Sequence, residues 1–184
     1  MIVIEKKLVL IGMPGSGKTT VGQELATRAD IPFFDSDALL AEALNDSIAN
    51  IIETKGEQYF RHKEALVMQR LLRPFYGVLS TGGGAVMDQN IRPLFKSHGV
   101  VYLRATPETL ATRLEQAEMR PLLKGAGTLQ EKLEDTLKLR QPVYEMLADS
   151  IIDVDAMTPS QVVETIATQF DLVLDEAGII IQTE

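Results

Sequence analysis

Residues 12–19 read Gly-Met-Pro-Gly-Ser-Gly-Lys-Thr. This is the pattern G-x-x-x-x-G-K-[ST], whose glycines let a tight loop wrap phosphate oxygens with backbone N–H groups. The pattern carries that meaning only between a strand and a helix, and both are expected here. Residues 7–11 (KLVLI) are a short apolar run that reads as a strand buried on both faces. Residues 19–28 follow with Val21, Leu25 and Ala29 at helical spacing. Gly12, Gly15 and Gly17 supply the turn, and the helix that follows adds the positive end of its dipole. Lys18 offers a point charge to the outer phosphates, and the Thr19 hydroxyl is a ligand for Mg²⁺. Ser16 and Thr20 complete the expected nucleotide-binding set. A chain built around this loop binds a nucleoside triphosphate.

The rest of the chain repeats the same alternation. Short apolar runs at 32–35, 77–80 (GVLS), 100–103 (VVYL) and 151–154 (IIDV) are separated by helical stretches. This predicts an α/β fold with a five-stranded parallel sheet flanked by helices. Thr128-Leu-Gln-Glu131 and Thr158-Pro-Ser-Gln161 fit capping boxes, while Pro107 and Pro159 stand where a first helical residue needs no N–H. Two connections, 36–76 and 105–150, hold 41 and 46 residues, well beyond the dozen or so that a simple crossover needs. Ligands of open α/β sheets bind beyond the carboxyl ends of the strands. The extra material there is expected to form a helical substrate-binding insert, about 36–76, and a lid, about 116–127, within one domain spanning 1–170.

Composition narrows the partners. The 184 residues carry 18 Lys and Arg against 26 Asp and Glu, a net charge of −8. That charge argues against binding to nucleic acid or to an anionic membrane surface. With no Cys, thiolate metal sites and thiol catalysis are excluded, and two His (His62 and His98) make a His-rich site implausible. No apolar run is long enough to span a bilayer, and no signal-peptide core opens the chain, so the expected compartment is the cytoplasm. The tail, 171–184, holds Asp171, Asp175, Glu176 and Glu184 with no base, and so carries half of the net charge. Its Ala177-Gly-Ile-Ile-Ile-Gln run is compatible with an edge strand, a dimer contact or disorder. The chain is expected to act as a monomer, a dimer being the alternative.

Three further groups of residues fall near the phosphate loop. Asp35-Ser-Asp37 ends the second strand. One carboxylate there could orient a Mg²⁺ water and the other accept a proton from an attacking hydroxyl, although helix capping explains an Asp at such a place equally well. Gly82-Gly-Gly84 ends the third strand. Three consecutive glycines cost order; a close approach to a ligand would justify that cost, and a loose turn is the alternative. Arg61, Arg120 and Arg140 sit in the two long connections, and Arg suits two-pronged contacts with carboxylate or phosphate.

Taken in order, GMPGSGKT, FFDSD, GEQYFRHKE, LSTGGGAV, MRPLL and LRQPVY resemble the shikimate kinase family over residues of about 7–170. The resemblance implies a P-loop kinase fold and transfer of the γ-phosphoryl of ATP, with Mg²⁺, to the 3-hydroxyl of shikimate, a step toward aromatic amino acids. It implies that Asp37 binds the substrate hydroxyls and serves as base, with Lys18 and Arg120 as the other catalytic groups. Asp35 and Thr19 lie near Mg²⁺. Arg61 and Arg140 grip the substrate carboxylate, Glu64 steadies an Arg, and Gly82, Gly83 and Gly84 line the substrate site. Arg120, on the lid, reaches substrate and γ-phosphate, and Arg113 with residues 155–159 surrounds the adenine. There are departures: Ile52 replaces an aromatic under the substrate ring, the loop before Pro159 is short, and the tail runs past the usual end. A gluconate kinase would not carry the GGG loop together with Phe60-Arg61. A nucleoside monophosphate kinase would carry an Asp-Gly-aromatic-Pro-Arg stretch. A regulatory module without catalysis would not need the acids and the three Arg together.

Overall fold

The computed structural model describes residues 7–73, 76–117, 126–172 and 174. Five parallel strands form one sheet: β1 (Leu8–Ile11), β2 (Phe33–Asp35), β3 (Val78–Ser80), β4 (Gly99–Arg104) and β5 (Ser150–Asp153), in the order β2-β3-β1-β4-β5. Each lies within one residue of its expected span. β1 is buried throughout, as its unbroken run of Leu, Val and Ile requires of a central parallel strand.

Register explains where the site forms. Asp35 stands opposite Ser80, Leu10 opposite Ser80 on the other side, and Ile11 opposite Tyr102. The carboxyl ends of β1, β2 and β3 therefore share one edge, and the residues that follow them (Gly12, Ser36 and Thr81) are neighbours. The chain passes from β1 outward to β2, returns to β3, and then crosses β1 to β4 on its other side, so the phosphate loop opens at the point where the strand order reverses.

The helix after the loop, α1 (Lys18–Arg28), begins one residue earlier than expected. It buries Val21, Gly22, Leu25 and Ala26; Ala29, expected on the same face, is the cap residue past its end. The first long connection holds three helices, α2 (Ser36–Leu44), α3 (Ile48–Lys55) and α4 (Glu57–Leu71). Leu40, Ile51 and Phe60, one from each, make a small core separate from the main one, with Ile52 packed at its side. The insert thus has its own packing and can present a surface to the cleft without disturbing the sheet.

The second connection holds α5 (Pro107–Gln116) and α6 (Leu129–Leu147), and α7 (Pro159–Gln169) closes the domain. Both expected capping boxes form, at Thr128 with Glu131 and at Thr158 with Gln161, and both Pro residues take the first helical turn. Most of the expected lid, Arg120 included, lies outside the described residues, as does most of the tail. Leu172 and Leu174, past the expected boundary at 170, pack against the main core. Among the described residues no helix is long and apolar enough to cross a membrane.

Candidate functional site

The phosphate loop takes the backbone its glycines predict. Gly15 and Gly17 have φ of 83° and 94°, left-handed values that a residue with a Cβ adopts only under strain. Gly12 has a second reason: a Cβ there would lie 2.6 Å from the Leu103 carbonyl oxygen and 2.9 Å from Ser16 Oγ. The buried Ser16 hydroxyl has no hydrogen-bond partner among the described residues, a vacancy that a phosphate oxygen would satisfy. Lys18 is buried and donates from Nζ to the Gly12 and Met13 carbonyls at 3.0 and 2.9 Å. Burial lowers its pKa to about 8 against the opposing pull of Asp37 and Asp35, with Arg140 adding a further lowering push. Thr20, on the outer side of the first turn of α1, is exposed.

Asp35 uses its two carboxylate oxygens differently. Its Oδ1 accepts the Asp37 and Ala38 N–H groups at 3.0 and 3.2 Å, which caps α2. Its Oδ2 accepts the Thr19 hydroxyl at 2.8 Å, which brings a carboxylate to the first turn of α1. The capping frees Asp37 to stand on the first turn of α2 with its side chain open to the cleft. Crowding by protein raises the Asp37 pKa to about 6, the Glu64 and Asp35 carboxylates adding to the rise and Lys18 and Arg61 opposing it. A carboxylate so placed exchanges a proton near neutral pH.

The three glycines after β3 are explained by space. None of Gly82, Gly83 and Gly84 has positive φ, so neither a loose turn nor a special backbone conformation requires them. A Cβ on Gly82 would meet Asp37 and Glu64; one on Gly83 would meet Pro14 and Arg140; one on Gly84 would lie 2.5 Å from Arg61 Nη1. The loop is bare because four functional side chains press against it. The Gly82 N–H donates to Ser36 Oγ at 2.9 Å, which ties the loop to the end of β2.

Arg61 and Glu64 form a part-buried ion pair at 2.6 Å, and Glu57 lies 3.6 Å from the other guanidinium nitrogen. Glu64 is 5% exposed. Burial raises its pKa, and Arg61 and Arg140 hold it down. The pairing fixes Arg61 along the Gly84 backbone, and a guanidinium so held suits a planar anion. Arg140, half-buried on α6, reaches the same place from the opposite wall. Arg113 donates to the Val154 carbonyl at 2.7 Å, so it stands beside the loop after β5. In that loop Asp155 accepts from Thr106 at 3.0 Å.

Expected site residues from five separate segments thus meet at one sheet edge: Gly12, Lys18, Asp37, Arg61 with Glu64, the triple glycine and Arg140. Two contributors had no stated role in the sequence reading. Ser36 anchors the glycine loop, and its position between two acids was the available signal. Tyr144 lies in the LRQPVY run, but nothing in its spacing indicated that its hydroxyl would reach Gly83.

A family model described as shikimate kinase matches residues 14–171. A shikimate kinase of Neisseria gonorrhoeae is 45% identical over 148 residues, covering 80% of this chain and 86% of the relative. A solved structure described as shikimate kinase from Acinetobacter baumannii in complex with shikimate superposes with a TM-score of 0.84 at 33% identity, covering 90% of this chain and 94% of that one. A gluconokinase from Sinorhizobium meliloti shares the fold, with a TM-score of 0.59 at 19% identity over 91% of this chain and 93% of its own. Sequence and structure agree on the same side of that comparison, and the chain belongs to the shikimate kinase family.

Proposed function

We propose that this protein transfers the γ-phosphoryl of ATP to the 3-hydroxyl of shikimate, with Asp37 as the proton acceptor. The observation that carries the reading is the position of Asp37. It stands between Lys18 of the phosphate loop and the Arg61–Glu64 pair, with a pKa raised to about 6. A base so placed lies between a polyphosphate subsite and a carboxylate subsite. Shikimate needs that order, since it has hydroxyls on one side of its ring and a carboxylate on the other.

Phosphoryl transfer asks the protein for alignment and charge neutralisation more than for covalent chemistry. The phosphate loop and Lys18 hold the nucleotide. Arg61 and Arg140 take the carboxylate from two walls, and Asp37 takes the hydroxyl proton as the hydroxyl oxygen attacks the γ-phosphorus. The bond to the β-phosphate oxygen breaks, giving ADP and the phosphate ester. Fixing a rigid ring at both ends supplies orientation, which is worth up to several kcal/mol of barrier in well-aligned reactions.

Thr19 and Asp35 offer a hydroxyl and a carboxylate 2.8 Å apart, the hard oxygen donors that suit Mg²⁺. Bound there, the ion would supply positive charge to offset that of the nucleotide's phosphates. Arg120 on the lid and Arg113 beside the nucleotide complete the proposed set, and a cytoplasmic location fits the proposed substrates.

A coupled assay with ATP, Mg²⁺ and shikimate, with gluconate and nucleoside monophosphates as controls, tests the reading. Turnover of shikimate alone is expected; turnover of gluconate in its place would overturn it.

A further inference from the structure

Tyr144 has no exposed surface, yet its phenol oxygen lies against both the glycine loop and the phosphate loop. It donates to the Gly83 carbonyl at 2.5 Å and lies 3.8 Å from Met13 Sδ of the phosphate loop. Arg140, one helical turn earlier on the same face of α6, sets its guanidinium against the same glycine, Nη1 lying 3.3 Å from where a Gly83 Cβ would be. The ring is held in turn by Tyr102 of β4, with centroids 4.9 Å apart and planes inclined by 30°. Burial pushes the Tyr144 pKa up to about 12, so the hydroxyl remains a donor throughout the working pH range.

The peptide that Tyr144 grips is the one on which the site turns. Gly83 has room for no side chain, because Pro14 Cδ lies 2.9 Å and Arg140 Nη1 3.3 Å from where its Cβ would be. Across a trans peptide the carbonyl and the next N–H point in opposite directions. Holding the Gly83 carbonyl toward α6 therefore turns the Gly84 N–H away from α6. The peptide that the hydroxyl holds is also the surface against which Arg140 Nη1 packs. A single buried hydroxyl thus links the glycine loop to one jaw of the carboxylate grip.

We propose that Tyr144 is a positioning residue for the acid substrate: its hydroxyl fixes the Gly83–Gly84 peptide and aims Arg140, and so sets affinity for shikimate while leaving nucleotide affinity alone. The proposal rests on the shikimate kinase reading above. Removing the hydroxyl leaves ring, volume and stacking in place, so Tyr144→Phe is the informative change.

The test is steady-state kinetics on wild type, Tyr144→Phe, Arg140→Lys and the double variant, with ADP affinity measured by calorimetry. Tyr144→Phe is expected to raise KM for shikimate about tenfold, the order for losing a buried hydrogen bond, with ADP affinity unchanged within about twofold. On the Arg140→Lys background the same change is expected to add less than about twofold, because residues acting through one another are non-additive. Unchanged kinetics in Tyr144→Phe, full additivity with Arg140→Lys, or an equal loss of both ligands with a fall in folded protein would each overturn the proposal. Wild-type turnover of shikimate is the control: if it is absent, the functional reading falls and takes this proposal with it, whereas active wild type with an unaffected Tyr144→Phe removes the role of Tyr144 alone.

Discussion

Asp37 stands where a side chain on Gly82 would go. A Cβ on Gly82 would lie 2.5 Å from Asp37 Oδ1 and 2.8 Å from Glu64 Oε1. Both neighbours are held, one by the first turn of α2 and the other by its ion pair with Arg61. Gly82→Ala therefore has to move the proposed base or the proposed grip. Since small misplacements of reacting groups are costly, kcat/KM for shikimate is expected to fall about a hundredfold, with ADP affinity kept. Wild-type kinetics in this variant would show that the crowding is harmless and that Asp37 has freedom to spare.

Asp37→Asn separates chemistry from binding. The amide keeps the shape and loses the proton acceptor, so the transfer rate is expected to drop by roughly 10²–10⁴-fold while ADP still binds. Stability moves the other way. The Asp37 pKa is raised in the fold, so the folded state holds the proton more tightly than the unfolded chain. Its stabilising effect is complete below the ordinary carboxylate range and is lost as pH rises through about 6. Above that pH the neutral amide avoids an ionised group in a crowded cleft. Thermal midpoints at pH 8 should be higher in the variant than in wild type, the usual opposition between an active site and stability. A lower midpoint at pH 8 would contradict the raised pKa.

The pH profile gives the same group a second signature. A base must be ionised to act, so kcat/KM should fall as pH drops through about 6. Of the neighbouring charges that raise the Asp37 pKa, Glu64 is the largest. Glu64→Gln removes that charge and should move the acid limb to lower pH. It also takes a charged partner from Arg61, so KM for shikimate should rise in the same variant. An acid limb that stays in place when Glu64 is neutralised would assign it to another group.

The sheet and the phosphate loop were legible because both rest on local pattern. Apolar runs of strand length mark β1 to β5, and glycine spacing with Lys18 marks the loop. The capping boxes at Thr128 and Thr158 were equally local. What escaped was set by distance in space. Gly82, Gly83 and Gly84 were read as a place of close approach to a ligand, but the structure shows their neighbours to be Asp37, Glu64, Arg140 and Arg61. Those contacts join residues far apart in the chain and leave no trace in spacing. Tyr144 escaped for the same reason, since a buried Tyr on a helix ordinarily reads as core.

Asp35 offers the sharpest separation of two roles. Its Oδ1 caps α2 and its Oδ2 takes the Thr19 hydroxyl, so one residue serves both the helix and the proposed cation site. Asparagine caps a helix about as well as aspartate but brings no charge to a cation, whereas alanine does neither. Asp35→Ala is therefore expected to lose about 1 kcal/mol of stability, the typical worth of a cap, and Asp35→Asn much less. Both should need several-fold more Mg²⁺ for half-maximal activity, because both lose the carboxylate charge. Urea unfolding with Mg²⁺ titration on the two variants reads the roles independently. A variant pair that differs in stability but keeps the wild-type Mg²⁺ requirement would make Asp35 a cap alone. The carboxylate supporting the cation would then have to be sought elsewhere on the same sheet edge, with Asp37 the first to try.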